Sequence, residues 1–232
     1  MTRMHRFYFS VENIRLLIRA LKARYRDQKT ELDFIKQHVG PNDTVCDIGA
    51  NKGSFTYWLS GWCGKVVAFE PQPELANRLV RLCQSLKLSN VTVEPKAVYS
   101  LSANLDFYMP GQNQPGASLK PISTNCTRTT VQAISLDEYF NDDTEIKLLK
   151  IDVEGAELHA LKGAEKLLRR SNPLLVFECE NRHLNNGNVY DTFSYLKDLG
   201  YEGKFVYHGH LLPISKFNAS IHQSQRGKSF WK

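Results

Sequence analysis

The sequence predicts an α/β fold, a mostly parallel central sheet with helices on both faces, closed at the C-terminal end by an antiparallel hairpin. Three observations carry this expectation. From Thr44 onward, short apolar runs rich in Val, Ile and Leu alternate with segments of helical spacing, the pattern that builds parallel strands joined by helical crossovers. The first of these runs enters a glycine-containing turn and then a helix. Near the end, Lys204–Tyr207 and Leu211–Ile214 flank His208-Gly209-His210 as a hairpin would. A chain of 232 residues, 42% hydrophobic and 23% charged, has the size and composition of one well-buried globular domain. No apolar run approaches the length needed to cross a bilayer.

Residues 1–30 read as a basic amphipathic helical extension, with the domain proper over 31–232. Val11, Ile14, Ile18, Leu21 and Tyr25 recur at helical spacing, with Arg15, Arg19, Lys22 and Arg26 in a neighbouring stripe. Such a helix can lie on an anionic membrane, close over an acidic substrate or pack against its own domain. The net charge of +6 resides here: eight Lys and Arg stand against Glu12 and Asp27 before residue 31, and the remainder carries 22 charges of each sign. A basic nucleic-acid groove across the body is therefore not indicated. The first nine residues lack an apolar core followed by a cleavage site, so a cytoplasmic address is expected. Cys46, Cys63, Cys83, Cys126 and Cys179 contain no Cys-x-x-Cys pair, which fits free thiols better than a disulfide framework or a zinc site.

Strands are expected at Val45–Ile48, Val66–Glu70, Val91–Val93, Ile146–Asp152 and Leu174–Glu178. Helices are expected at Ser54–Leu59, Pro73–Leu86, Ala156–Arg169 and Tyr190–Leu199. Between Tyr99 and Ser135 the alternation breaks into short strand-like pieces, Leu105–Tyr108 and Thr129–Ile134, around the turn-rich 109–116. A long connection of this kind serves as a substrate-facing flap or as a plain surface hairpin.

The strongest local signal is Asp47-Ile48-Gly49-Ala50-Asn51-Lys52-Gly53. Gly49 and Gly53 let the backbone approach a ligand closely, and in open α/β sheets such a turn borders the crevice at the strands' carboxyl ends. A pyrophosphate cofactor normally calls for G-x-G-x-x-G. Here the loop reads G-x-x-x-G and begins with an acid, which suits a ligand bearing an ammonium group and no phosphate: S-adenosyl-L-methionine. Glu70 ends the second strand ahead of Pro71, where a carboxylate can accept both ribose hydroxyls, and the adenine is expected near Pro71 and Ala97. Asp47, Gly49, Ala50, Asn51, Gly53, Glu70, Pro71 and Ala97 are thus the candidate cofactor-binding residues, against the alternative of a purely structural turn.

Leu148 to Gly155 alternates, with Lys150, Asp152 and Glu154 on one side, although a central parallel strand is normally apolar on both faces. The charges emerge beside the cofactor or, alternatively, cap the following helix. The cluster Glu178 to His183 closes the next strand and faces the same pocket. A hydroxyl attacking a methyl group must lose its proton, so Asp152, Glu154 and His183 are the candidate catalytic residues, with His183 as an ordinary surface residue the competing reading. Carboxylates beside a histidine can hold a divalent metal, but the spacing requires none.

These residues resemble the FkbM family of methyltransferases, whose DIGAN-x-G loop, FEP strand end, KIDVEGAE segment and following FE strand stand here at Asp47–Gly53, Phe69–Pro71, Lys150–Glu157 and Phe177-Glu178. The similarity runs from about residue 30 to 215. It implies a Rossmann-like class I methyltransferase, S-adenosylmethionine as cofactor, and O-methylation of a glycan, lipid-linked sugar or small natural product. Rival readings are an RNA or other nucleic-acid methyltransferase, which lacks support from an N/D-P-P-Y type segment, and a non-catalytic module that binds the cofactor.

Overall fold

The computed structural model describes residues 10–110, 126–184, 187–223, 225–226 and 229–230. Ser10 starts the first helix, α1 (Val11–Lys22), by accepting a hydrogen bond from Asn13 N at 3.2 Å. The chain then widens into a π-helical turn at Ala23–Asp27 before α2 (Lys29–His38). Of the three readings of the apolar stripe, packing against its own domain is not the one observed, for the stripe faces outward: Val11, Ile14, Ile18, Leu21 and Tyr25 are 47–65% exposed. The helix docks instead through Leu16, Ala20 and Asn13, all nearly inaccessible.

Strands β1 (Thr44–Ile48), β2 (Lys65–Phe69) and β3 (Val91–Glu94) alternate with α3 (Ser54–Trp62) and α4 (Pro73–Ser85). A short β4 (Ala97–Val98) leads into β5 (Ala103–Pro110) and β6 (Cys126–Ile134), followed by α5 (Leu136–Tyr139), β7 (Leu148–Ile151), α6 (Glu157–Lys162), α7 (Glu165–Ser171) and β8 (Leu174–Phe177). After α8 (Val189–Asp198), β9 (Lys204–Tyr207) and β10 (His210–Pro213) form the expected closing hairpin, with a short α9 (Ala219–His222) beyond it.

The main sheet is parallel throughout, in the order β3-β2-β1-β7-β8. Both faces are covered. Cys46, Ile48, Val67, Phe69, Leu149 and Ile151 pack with Leu161, Leu167 and Leu196, while Val45, Val66 and Leu148 pack with Leu32, Ile35, Phe55 and Leu59. Leu32 and Ile35 are fully buried, at about 1.5–3 kcal/mol each, so α2 belongs to the core although its sparse apolar content hides it in the sequence. The order of strands reverses between β1 and β7, and the crevice at their carboxyl ends is the topological switch point.

One expectation is corrected. The helix expected over Ala156–Arg169 is two helices that part at Gly163 and Ala164; there the backbone of Tyr99 crosses so closely that a Cβ on Gly163 would lie 1.9 Å from Tyr99 O, and it fits only where a glycine stands. The interruption after Tyr99 is a long hairpin, β5 with β6, joined to β4 as a separate three-stranded sheet. The turn expected over 109–116 lies outside the described residues from position 111 onward.

Candidate functional site

β1 delivers Ile48 to the crevice and stops before Gly49, whose φ of +78° admits few side chains. A Cβ at Gly49 would lie 1.9 Å from Asp152 O. The two strand ends therefore touch backbone to backbone, with Asp152 N also donating to Ile48 O at 2.9 Å. Gly49 N and Ala50 N both donate to Phe69 O at 2.9 Å, tying the turn to β2. Gly53, at φ +80°, ends the turn under Leu79, whose Cδ1 leaves 2.5 Å for a Cβ.

Around this turn opens a cleft. Gly49, Asn51, Glu70, Pro71 and Ala97 line it, as do Asp152, Glu154 and Phe107 of the β5–β6 hairpin. Five of the eight candidate cofactor residues thus meet two of the three candidate catalytic ones. The hairpin contributes a wall of the same cleft.

Glu70 is 3% exposed and its carboxylate accepts from Asn51 N at 2.8 Å and Gln72 N at 2.9 Å. Burial raises its pKa, against those hydrogen bonds. A carboxylate offers about four acceptor sites, so two stay available to a pair of vicinal hydroxyls. With the apolar Ala97, Val98 and Phe107 beside it, this donor set fits a nucleoside.

Three candidates sit elsewhere. Ala50 packs with Ala68, Leu79 and Cys83, and Gly53 supports the turn from behind. Asp47 is fully buried: one oxygen accepts from Thr56 Oγ1 at 2.6 Å and the other lies 3.2 Å from Lys150 Nζ. Its charge is spent inside the protein.

Lys150 is the residue that sequence reasoning noted and did not assign. It is 6% exposed, with Nζ 3.7 Å from Asp152 and 3.3 Å from Gly49 O. Burial pushes its pKa down, but Asp47 and Asp152 outweigh burial and the net direction is up. A lysine amid the apolar residues of β7 was the signal for it.

Past β7 the chain turns at Glu154 (φ +52°) and Gly155 (φ +99°). A Cβ at Gly155 would lie 2.3 Å from His183 O, so this glycine brings the Asp152–Glu154 loop against the segment after β8. There His183 Nε2 lies 2.9 Å from Glu154 Oε2. The hydrogen bond to Glu154 raises the His183 pKa, against partial burial. The capping alternative for Asp152 and Glu154 is not what the structure places there: α6 begins at Glu157, its N-cap Ala156 makes no side-chain cap, and Glu157 itself accepts from Gly155 N at 3.0 Å. Glu157 is nearly inaccessible, its Oε2 has no hydrogen-bond partner among the described residues, and burial lifts its pKa to about 7. Glu180, Asn181 and Arg182, just before His183, line a second hollow with Ala219, Ser220 and Gln223. Among the described residues no group of three or more His, Cys, Asp or Glu is arranged to hold a metal ion.

Comparison with known proteins matches residues 47–202 to the Methyltransferase FkbM domain. Hexuronic acid methyltransferase AglP of Haloferax volcanii is 28% identical over 158 residues, covering 66% of this chain and 64% of that protein. Among solved structures, methyltransferase FkbM from Methylobacillus flagellatus KT aligns with a TM-score of 0.54 at 16% identity, over 87% of this chain and 53% of that one. That likeness shows the fold. The chain spans less than two thirds of the length of either protein.

Proposed function

The chain belongs to the FkbM methyltransferase family, and from that premise we propose that it methylates a sugar hydroxyl, in a glycan or a small molecule, using S-adenosylmethionine. The observation that carries the reading is the meeting of the Gly49 turn and Glu70 with the Asp152–Glu154 loop in one cleft. The Haloferax relative, named for action on a hexuronic acid, supports a sugar as acceptor.

Glu70 would hold the ribose hydroxyls, with Pro71, Ala97 and Phe107 against the base. S-adenosylmethionine, when bound, supplies an electrophilic methyl group on a sulfonium. Asp47 acts through Lys150, holding that cation beneath the turn. Asp152 orients the acceptor hydroxyl, and His183, steadied by Glu154, takes its proton as oxygen bonds to the methyl carbon and the carbon–sulfur bond breaks. The products are a methyl ether, S-adenosylhomocysteine and a proton on the imidazole. The remainder of the acceptor would rest in the hollow beside Glu180 and Gln223. Five free cysteines suit a reducing compartment, and we place the chain in the cytoplasm.

The test is transfer of labelled methyl to a panel of uronic-acid-containing oligosaccharides by the purified chain and by Asp152→Asn. The proposal expects label that survives mild alkali, as an ether does, and none with the variant. Label released as methanol would identify a carboxylate as acceptor and overturn the hydroxyl assignment, and full activity of Asp152→Asn would overturn the site.

A further inference from the structure

We propose that the outer face of α1 rests on an anionic lipid surface. Val11, Ile14, Ile18, Leu21 and Tyr25 form one continuous apolar stripe along the helix, 64, 48, 48, 47 and 65% exposed. Its other side is clamped to the body. Ser85 Oγ donates to Asn13 Oδ1 at 2.8 Å, Trp58 Nε1 donates to Ala20 O at 2.8 Å, and Leu16 is buried close to Gly53. The stripe is therefore a fixed surface of the domain.

At its far end the stripe runs into aromatic rings: Tyr25 stands 6.3 Å from Trp58, which stacks 5.7 Å from Trp62. Arg24 lies 5.5 Å from the centre of the Tyr25 ring. A tyrosine as exposed as Tyr25, with one apolar side and one polar tip, favours the headgroup level of a bilayer.

Charge decides which occupant fits. Arg15 and Lys22 are exposed beside the stripe, and Arg26 beyond them is paired with Asp27 at 2.7 Å. The single acid within α1, Glu12, lies 3.3 Å from Arg78. A second copy of this face would bring two basic flanks together, whereas an anionic headgroup layer would neutralise them while apolar side chains enter the acyl boundary.

The experiment is co-sedimentation of the full chain with phosphatidylcholine vesicles, with and without phosphatidylglycerol, at low and high salt. Binding is expected with the anionic lipid and is expected to fall as salt rises. Arg15→Gln with Lys22→Gln should weaken it about 25-fold, from about fivefold per basic side chain. Ile14→Glu, Ile18→Glu and Leu21→Glu together should abolish it, with the circular dichroism spectrum and S-adenosylhomocysteine binding unchanged because those side chains face away from the body. Equal binding to both vesicle types, or retained binding by the triple variant, would overturn the proposal. So would a dimer in light scattering that the triple variant dissociates while vesicles stay unbound. Binding that appears only after deletion of residues 1–9 would mean that the chain covers its own stripe, and would equally overturn it.

Discussion

Replacing Glu157 by Gln removes a charge from a site that does not favour one. In the folded chain Glu157 titrates at about 7, against an ordinary value of 4.5. The cause is burial, and the hydrogen bond from Gly155 N offsets only part of it. Below pH 4.5 the carboxyl is protonated in both folded and unfolded chains and costs nothing. As pH rises toward 7 the unfolded chain ionises first and is stabilised, so folding loses free energy; above 7 the loss is complete. The gap is about 2.5 powers of ten in proton affinity, and each is about 1.4 kcal/mol, so the full loss is about 3 kcal/mol. Glutamine retains an oxygen for Gly155 N and suffers no such loss. Urea unfolding of wild type and Glu157→Gln at about pH 5 and about pH 8.5 should show the variant gaining about 2.5 kcal/mol of relative stability across the interval, since a little of the loss has already occurred at pH 5. Any constant effect of the amide cancels in that difference. Midpoints that differ by the same amount at both pH values would refute the reasoning and mean that Glu157 is ionised at no cost.

The remaining predictions concern the crevice itself. Gly49→Ala sets a Cβ against Asp152 O in a left-handed backbone, which costs about 1–2 kcal/mol from conformation alone, and should weaken S-adenosylhomocysteine binding at least about tenfold in calorimetry as the strand ends part. Lys150→Met leaves Asp47 charged and unpaired in the core and should destabilise by about 3–5 kcal/mol in urea unfolding, while the double variant with Asp47→Asn should recover most of it. Glu154→Gln removes the hydrogen bond that raises the His183 pKa. If neutral His183 is the base, the acid limb of kcat/KM against pH should move to lower pH in that variant, and an unmoved limb would exclude His183.

Much of the architecture is readable along the chain because each strand and helix announces itself locally. Val45–Ile48, Val66–Glu70 and Leu174–Glu178 are short apolar runs flanked by turns, and they appear as strands within a residue of those limits. The helix α2 escapes such reading because it buries little beyond Leu32 and Ile35. The close approach at Gly163 escapes it because its partner, the backbone of Tyr99, lies more than sixty residues away in sequence. The candidate site divides in the same way. Gly49, Asn51, Glu70, Pro71, Ala97, Asp152 and Glu154 share the cleft that their motifs implied. Asp47 belongs to the same motif yet is turned inward onto Thr56 and Lys150.

By itself the chain's order of residues determined the strand and helix alternation, the glycine turn and the acid at each critical strand end, since these depend on spacing and on backbone freedom at single positions. Tertiary structure alone decided which charges face the cleft and which are neutralised beneath it, and which side of α1 meets water. Those outcomes follow from burial. A helix presents every face to the sequence reader, and a carboxylate reads the same whether solvent or a lysine from a neighbouring strand will balance it.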